Sequence, residues 1–239
     1  MPLTRASELD RTLACAGSLV MLRNEFKPTN AARAAAWGTN THKWKESGRL
    51  PGNEAHDKLL HRKIRASGID RAALWPPGGE HEVALAYNVV SRRAVRCNLV
   101  GDSEKAAWKA AFTDEWVTGS PDYVSELCGE PWVDDLKTGR IVSLEAHKYQ
   151  QMFYCLAWGL AVHGTPTPAR STLTHWPRYP VDVKPERMGT VFSLDDYTDL
   201  MLRLVRLREQ VLAKRVRLKT GVQCEYCPSR GVCPKIKEQ

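Results

Sequence analysis

Two short segments constrain this chain most: Gly119-Ser120-Pro121-Asp122 and, a little further on, Asp135-Leu136-Lys137. The run Val133-Asp134-Asp135-Leu136-Lys137 reads as a strand that ends in the turn formers Thr138-Gly139. Residues two apart on a strand face the same way, so Asp135 and Lys137 point into one place. Asp122 follows a Gly and a Pro, where a turn projects its carboxylate from a strand edge. Two carboxylates can hold a divalent cation that polarises a phosphodiester and activates water, and a nearby lysine can stabilise the charge that develops. On the helix that follows, Gln150 and Tyr154 are four apart and share one face. An amide and a hydroxyl there can position a phosphate, the lysine or the attacking water.

Further upstream, Gly38-Thr39-Asn40-Thr41-His42 places an imidazole in a helical segment. Neutral imidazole ligates divalent metals, so His42 can complete a site otherwise made of carboxylates, and it favours Mn²⁺ relative to Mg²⁺. Glu82 heads the first strand. It reads either as a carboxylate behind the direct ligands or as a plain strand-edge charge.

Around these residues the pattern is helices, then strands, then helix–strand–helix, which indicates an α/β fold. Residues Ala6 to Glu46 read as helices broken near Pro28, with Ser7 and Thr29 or Asn30 as N-caps. Leu50 to Gly79 is polar and Gly/Pro-punctuated, with one helix inside it. Strands are expected at Glu82–Tyr87, Ala94–Val100, Glu115–Val117, Tyr123–Val124, Trp132–Leu136 and Ser171–Trp176. Glu145 to His163 reads as a helix. So does Asp195 to Arg217, where Tyr197, Leu200, Met201, Leu204, Val205, Val211 and Leu212 keep an amphipathic spacing.

The charge of +8 suits a polyanionic partner. Basic residues at Arg62-Lys63, Arg65, Arg92-Arg93, Arg96, Arg203, Arg206, Arg208, Lys214, Arg215 and Arg217 are candidates to line a phosphodiester path, each neutralised phosphate making binding salt-sensitive. Trp37, Trp44, Trp75 and Trp108 can stack unpaired bases or pack in a core. The longest apolar run, Cys155 to Val162, is too short to span a membrane. The N-terminus lacks the apolar stretch of a signal peptide, so a cytoplasmic, reducing home is expected. There, seven cysteines argue for metal ligation or burial more than for disulfides. Cys224-x-x-Cys227 and Cys233-Pro234 form a metal-binding loop one ligand short of four. Cys97 and Cys155 read as buried, and Cys128 stands beside a turn. No G-x-x-x-x-G-K-[ST] segment is present, which excludes ATP hydrolysis by that route.

Taken together, Gly38…His42, Gly119…Asp122, Asp135-x-Lys137 and Gln150-x-x-x-Tyr154 resemble the RecB-like branch of the PD-(D/E)XK nuclease superfamily over most of the chain. Pro121 stands where the branch more often has an aliphatic residue, which restores the Pro-Asp of the superfamily name. The resemblance implies a restriction-endonuclease-like core, a central mixed sheet flanked by helices. Within the single domain 1–239 it distinguishes an N-terminal helical region, residues 1–80, from a nuclease core 81–194 and a C-terminal helix with cysteines 195–239. It also implies metal held by His42, Asp122, Asp135 and the Leu136 carbonyl, with Lys137, Gln150 and Tyr154 in catalysis. Some relatives hold a [4Fe–4S] cluster by one N-terminal and three C-terminal cysteines: CRISPR-associated adaptation exonucleases, AddB-type nuclease domains and, similarly, phage exonucleases. By that likeness Cys15, Cys224, Cys227 and Cys233 would join the N- and C-terminal segments through a structural cluster, zinc being the alternative. The implied activity is a Mn²⁺- or Mg²⁺-dependent exonuclease on single-stranded DNA or DNA ends, 5′→3′ favoured, in repair, recombination or phage DNA metabolism. The alternatives are a CRISPR-adaptation trimming nuclease and a catalytically silent DNA-binding subunit. A homo-oligomer, or a recombination or CRISPR-adaptation partner, is compatible with each.

Overall fold

A computed structural model describes residues 2–20, 37–44, 55–70, 74–98, 102–127, 129–139, 142–177 and 179–237, except 181, 217, 222, 225, 226, 228 and 230–232. In chain order the described elements begin with β1 (Thr4–Arg5), a 3₁₀ turn (Ala6–Glu8), α1 (Leu9–Ala14), α2 (Gly17–Val20), helix α3 at 37–44 and α4 (Ala55–Ser67). Strands β2 (Glu80–His81), β3 (Val83–Asn88) and β4 (Ala94–Asn98) follow, then α5 (Asp102–Ala110), β5 (Trp116–Gly119), β6 (Tyr123–Leu127) and β7 (Glu130–Lys137). The remainder is α6 (Lys148–His163), β8 (Ala169–His175), β9 (Glu186–Phe192), α7 (Leu194–Leu212) and α8 (Pro234–Lys237). Pro28, Thr29 and Asn30, where a break and a cap were expected, lie outside the described residues, as does Cys128.

The fold is mixed α/β, but its strands form two sheets rather than one central sheet. The first has the order β1-β5-β3-β4 and the second β2-β6-β7-β8-β9. Both are mixed: β1 runs parallel to β5, and β7 parallel to β8, while the other neighbours are antiparallel. Among the described strands the chain passes between sheets three times, from β1 to β2, at Glu82 from β2 to β3 and at Ser120–Asp122 from β5 to β6. The cause of the crossing at Glu82 is visible in the backbone. Glu82, expected to head the first strand, has φ of 53°, a left-handed conformation that separates the short β2 from β3. The Glu82 N–H reaches the Asp122 carbonyl at 3.4 Å, so the crossings at Glu82 and at Ser120–Asp122 lie side by side.

Helix α6 lies across strands of both sheets, against β3 and β4 on one and β7 and β8 on the other. Its run from Gln150 to Gly159 is buried on every side, as expected for a helix enclosed by sheet and helix. Gly164, at φ 73°, ends it in a left-handed cap. Helix α7 starts at Ser193, whose side chain and that of Asp196 form a reciprocal capping box. Its Tyr197, Leu200 and Leu204 are buried with Phe153 and Leu156 of α6 in the larger core. Leu212, expected on that face, is 53 % exposed in the last turn.

A second core gathers Trp37, Trp44, Leu60, Trp75, Trp132 and Trp176. Three of the four tryptophans considered for base stacking are therefore packing residues. Trp75 also donates to the buried Asp134 carboxylate at 2.6 Å, which Thr174 supports at 2.8 Å. Lys63 is fully buried: its ammonium donates to the Pro180 carbonyl at 2.7 Å and lies over the Trp176 ring, so it holds α4 to the segment after β8 and is not available to DNA. Cys155 is buried as expected, whereas Cys97, on an exposed stretch of β4, is only half-buried.

Candidate active site

A cavity of about 480 Å³ opens at the seam between the sheets. His42, Asp122, Asp135, Lys137, Gln150 and Tyr154, singled out in the sequence, all line it. They arrive on four supports. α3 brings His42, the β5–β6 crossing brings Asp122, β7 brings Asp135 and Lys137, and the first turns of α6 bring Gln150 and Tyr154.

Asp122 is the hub. Its Oδ2 accepts the Leu136 N–H at 2.5 Å, which ties the crossing to β7. Its Oδ1 meets His42 Nδ1 at 2.8 Å. Burial alone would raise the Asp122 pKa, but His42, Lys137 and the Leu136 N–H outweigh it and hold the carboxyl below the usual range. For His42, burial works against the charged ring, yet Asp122, Asp135 and Glu82 together move its pKa up. Burial pushes Asp135 to about 6, with Lys137 pulling it down and Asp122 adding to the rise. Lys137 is carried up in turn by Asp135 and Asp122 against its own burial.

Lys137 Nζ stands 2.5 Å from Asp135 Oδ2, an ion pair between two largely buried groups. Asp122 and Asp135 bring two buried carboxylates to the site, and a cation is a fitting partner for such a pair. The ligand atoms of His42, Glu82 and Asp122 all lie within 4.8 Å of one another. This group differs from the expected one, because Glu82 joins it and Asp135 stands beside it, paired with Lys137. The left-handed backbone at Glu82 turns its carboxylate inward, and that conformation left no mark in the sequence. Two carboxylates with an imidazole suit Mn²⁺ or Mg²⁺.

On α6, the Gln150 amide donates to the Tyr154 hydroxyl at 2.9 Å. Burial lifts the Tyr154 pKa well above that of free tyrosine, so the phenol stays protonated and can donate. The helix N-terminus is held by a residue that nothing in the sequence singled out. Asp10 accepts the N–H groups of Tyr149 at 2.9 Å and Gln150 at 3.1 Å. A lone acidic residue in a short helix carries no sequence signal for a contact so distant along the chain.

Cys15, Cys224, Cys227 and Cys233 line one narrow cavity of about 20 Å³, between the α1–α2 junction and the C-terminal segment. The Lys219 N–H lies 3.5 Å from Cys15 Sγ. Among the described residues no three of these sulfurs lie within 4.8 Å of one another.

Of the basic residues proposed for DNA, several are engaged. Arg96 pairs with Glu80 at 2.7 Å, Arg203 with Asp199 at 2.7 Å and Arg208 with Glu115 at 3.1 Å. Arg217 lies outside the described residues. No helix among the described residues is long and apolar enough to cross a membrane.

A sequence profile of the PD-(D/E)XK nuclease superfamily matches residues 6–234. No functionally curated protein matches the chain. Among solved structures, SSO0001 is similar at 16 % identity and a TM-score of 0.48, over 97 % of this chain and 86 % of that one. A protein named as a candidate exonuclease from Eubacterium rectale is similar at 12 % identity and 0.43, over 91 % and 77 %.

Proposed function

Because the chain belongs to the PD-(D/E)XK nuclease superfamily, we propose that it is a divalent-metal-dependent deoxyribonuclease that acts as an exonuclease on single-stranded DNA or DNA ends, with 5′→3′ polarity favoured. The observation that carries this reading is the convergence of His42, Glu82, Asp122, Asp135 and Lys137 on one cavity. His42, Glu82 and Asp122 would hold the ion, with Asp135 at its side. The bound ion would supply charge to the phosphoryl oxygen and lower the pKa of the attacking water. Lys137, kept protonated by Asp135 and Asp122, stabilises negative charge as it builds on the phosphate. The Gln150–Tyr154 pair orients that phosphate through a hydroxyl that remains a donor.

The reading includes a structural [4Fe–4S] cluster on Cys15, Cys224, Cys227 and Cys233. It is supported by their shared cavity. Iron and sulfide content of anaerobically purified protein, beside Cys15→Ser, tests the cluster. Stoichiometric zinc without sulfide would replace it.

The deciding experiment follows 5′- and 3′-labelled single strands with Mn²⁺, Mg²⁺ or EDTA, beside Asp135→Ala. Loss of one label, dependent on metal and absent in the variant, is expected. Intact DNA with normal binding in every condition would instead identify a binding subunit.

A further inference from the structure

The cavity wall also holds groups that the metal chemistry does not use. Thr118 is 2 % exposed, and its hydroxyl has no hydrogen-bond partner among the described residues. The buried hydroxyl of Ser120 is unpartnered in the same way. Both residues line the cavity, four and two positions before Asp122. Arg5 lines it as well, on the neighbouring strand, in parallel register with Thr118. Paired residues in register project to one side of a sheet, so guanidinium and hydroxyl share a face. No described residue forms an ion pair with Arg5. Native proteins rarely leave buried hydroxyls unpaired, and two such groups beside an uncommitted cation fit one kind of ligand, an oxyanion with several acceptor oxygens.

We propose that Arg5, Thr118 and Ser120 form an anion subsite that takes a phosphate of the DNA other than the one being cut. The inference rests on the nuclease reading for the identity of the polymer. A second anchored phosphate fixes where the backbone lies relative to the metal group, and so which bond is presented. The phosphate is either a diester within the strand or a monoester at its end. Gly119, between the two hydroxyls, makes the wall close-packed, since an added Cβ there would lie 2.5 Å from the Ala6 Cβ. The subsite is therefore held in place rather than formed by a mobile loop.

The test uses the full-length protein with Arg5→Gln, Thr118→Val and Ser120→Ala. Affinity for a labelled oligothymidylate is measured by anisotropy in Ca²⁺, and cleavage in Mn²⁺, on strands with a 5′-phosphate, a 3′-phosphate or neither. Thr118→Val should leave the melting temperature unchanged or raised, because it removes an unpaired buried hydroxyl, while Kd and KM rise roughly 10-fold. Arg5→Gln should do the same and flatten the salt dependence of log K by about 0.7. In each variant kcat at saturating DNA should change much less than KM. A defect confined to one phosphorylated end assigns the monoester; a defect on all strands assigns the diester. Unchanged Kd in Arg5→Gln and Thr118→Val, or a fall in kcat with Kd intact, would overturn the subsite. If wild type binds DNA but cuts nothing, the nuclease reading fails, and the Kd comparison still decides the subsite.

Discussion

The Asp10 carboxylate accepts the Gln150 N–H at 3.1 Å, so a residue of the first helix holds the start of the helix that carries the Gln150–Tyr154 pair. With its second bond to Tyr149 at 2.9 Å, it supplies acceptors for two of the N–H groups that a helix start leaves open. Asp10→Ala should cost about 1–2 kcal/mol of stability. It should also reduce cleavage rate more than DNA affinity, because Gln150 and Tyr154 lose their orientation. Denaturant unfolding together with single-turnover kinetics checks both effects. Unchanged kinetics at lowered stability would leave Asp10 a purely structural cap.

The pH dependence of stability tests the same region. Burial raises Asp10 to about 6 in the folded chain, from 3.8. Between those values the folded state keeps a proton that the unfolded state has lost, so this group's contribution falls as pH rises, by at most about 3 kcal/mol. Burial lowers His147 to about 4, from 6.5, with Lys137 adding to the fall. There the unfolded state takes the proton first, so stability rises with pH over the overlapping window. Relative to wild type, Asp10→Asn should steepen the rise of stability between pH 4 and 6, and His147→Gln should flatten or reverse it. Urea midpoints across that range measure the difference, and parallel curves for all three proteins would refute the assignment.

Glu82 gives a sharp test of the metal group. Glu82→Gln preserves shape and removes charge, and should weaken Mn²⁺ binding by at least about tenfold, as loss of metal-site partners commonly does. Calorimetric titration measures it. Mn²⁺ affinity equal to wild type would move Glu82 out of the ligand set and return it to a strand-edge charge.

Gly119→Ala should destabilise by about 1–3 kcal/mol, the usual cost of overpacking. Its new methyl would lie 2.5 Å from the Ala6 Cβ and 2.8 Å from Tyr154 Cε1. Because Tyr154 must shift, cleavage should fall beyond what the stability loss explains at a temperature where the variant is folded. A thermal scan with activity measured well below the transition separates the two effects.

Much of this arrangement was legible in the residues. Strand alternation placed Asp135 and Lys137 together, and helical spacing placed Gln150 beside Tyr154, because both patterns depend only on local geometry. Glu82 was ambiguous since its role depends on a left-handed backbone that no neighbouring glycine announces. Asp10, Arg5 and Thr118 were missed because their partners come from distant segments. Even so, Thr118 and Ser120 alternate with Asp122, and that spacing was available. Strand β9 escaped notice because Glu186–Phe192 is an edge strand, largely exposed and interrupted by Gly189. The opening Asp102-Ser103-Glu104-Lys105 of α5 is similarly polar and lacks an evident apolar stripe. The two-sheet division was hidden because short turns, at Glu82 and at Ser120–Asp122, carry the chain from one sheet to the other.

Glu82 and Asp122 occupy the two short turns by which the chain passes between sheets. Neither sheet by itself contains a cutting centre. A partly synthesised chain, with β1 to β6 made and β7 to β9 still to come, would have Asp122 without its Leu136 anchor and would lack Asp135 and Lys137 altogether. Cleaving ability would thus arrive only with the completed junction, and a damaged or misfolded copy would be inert rather than indiscriminate, so nearby nucleic acid is spared.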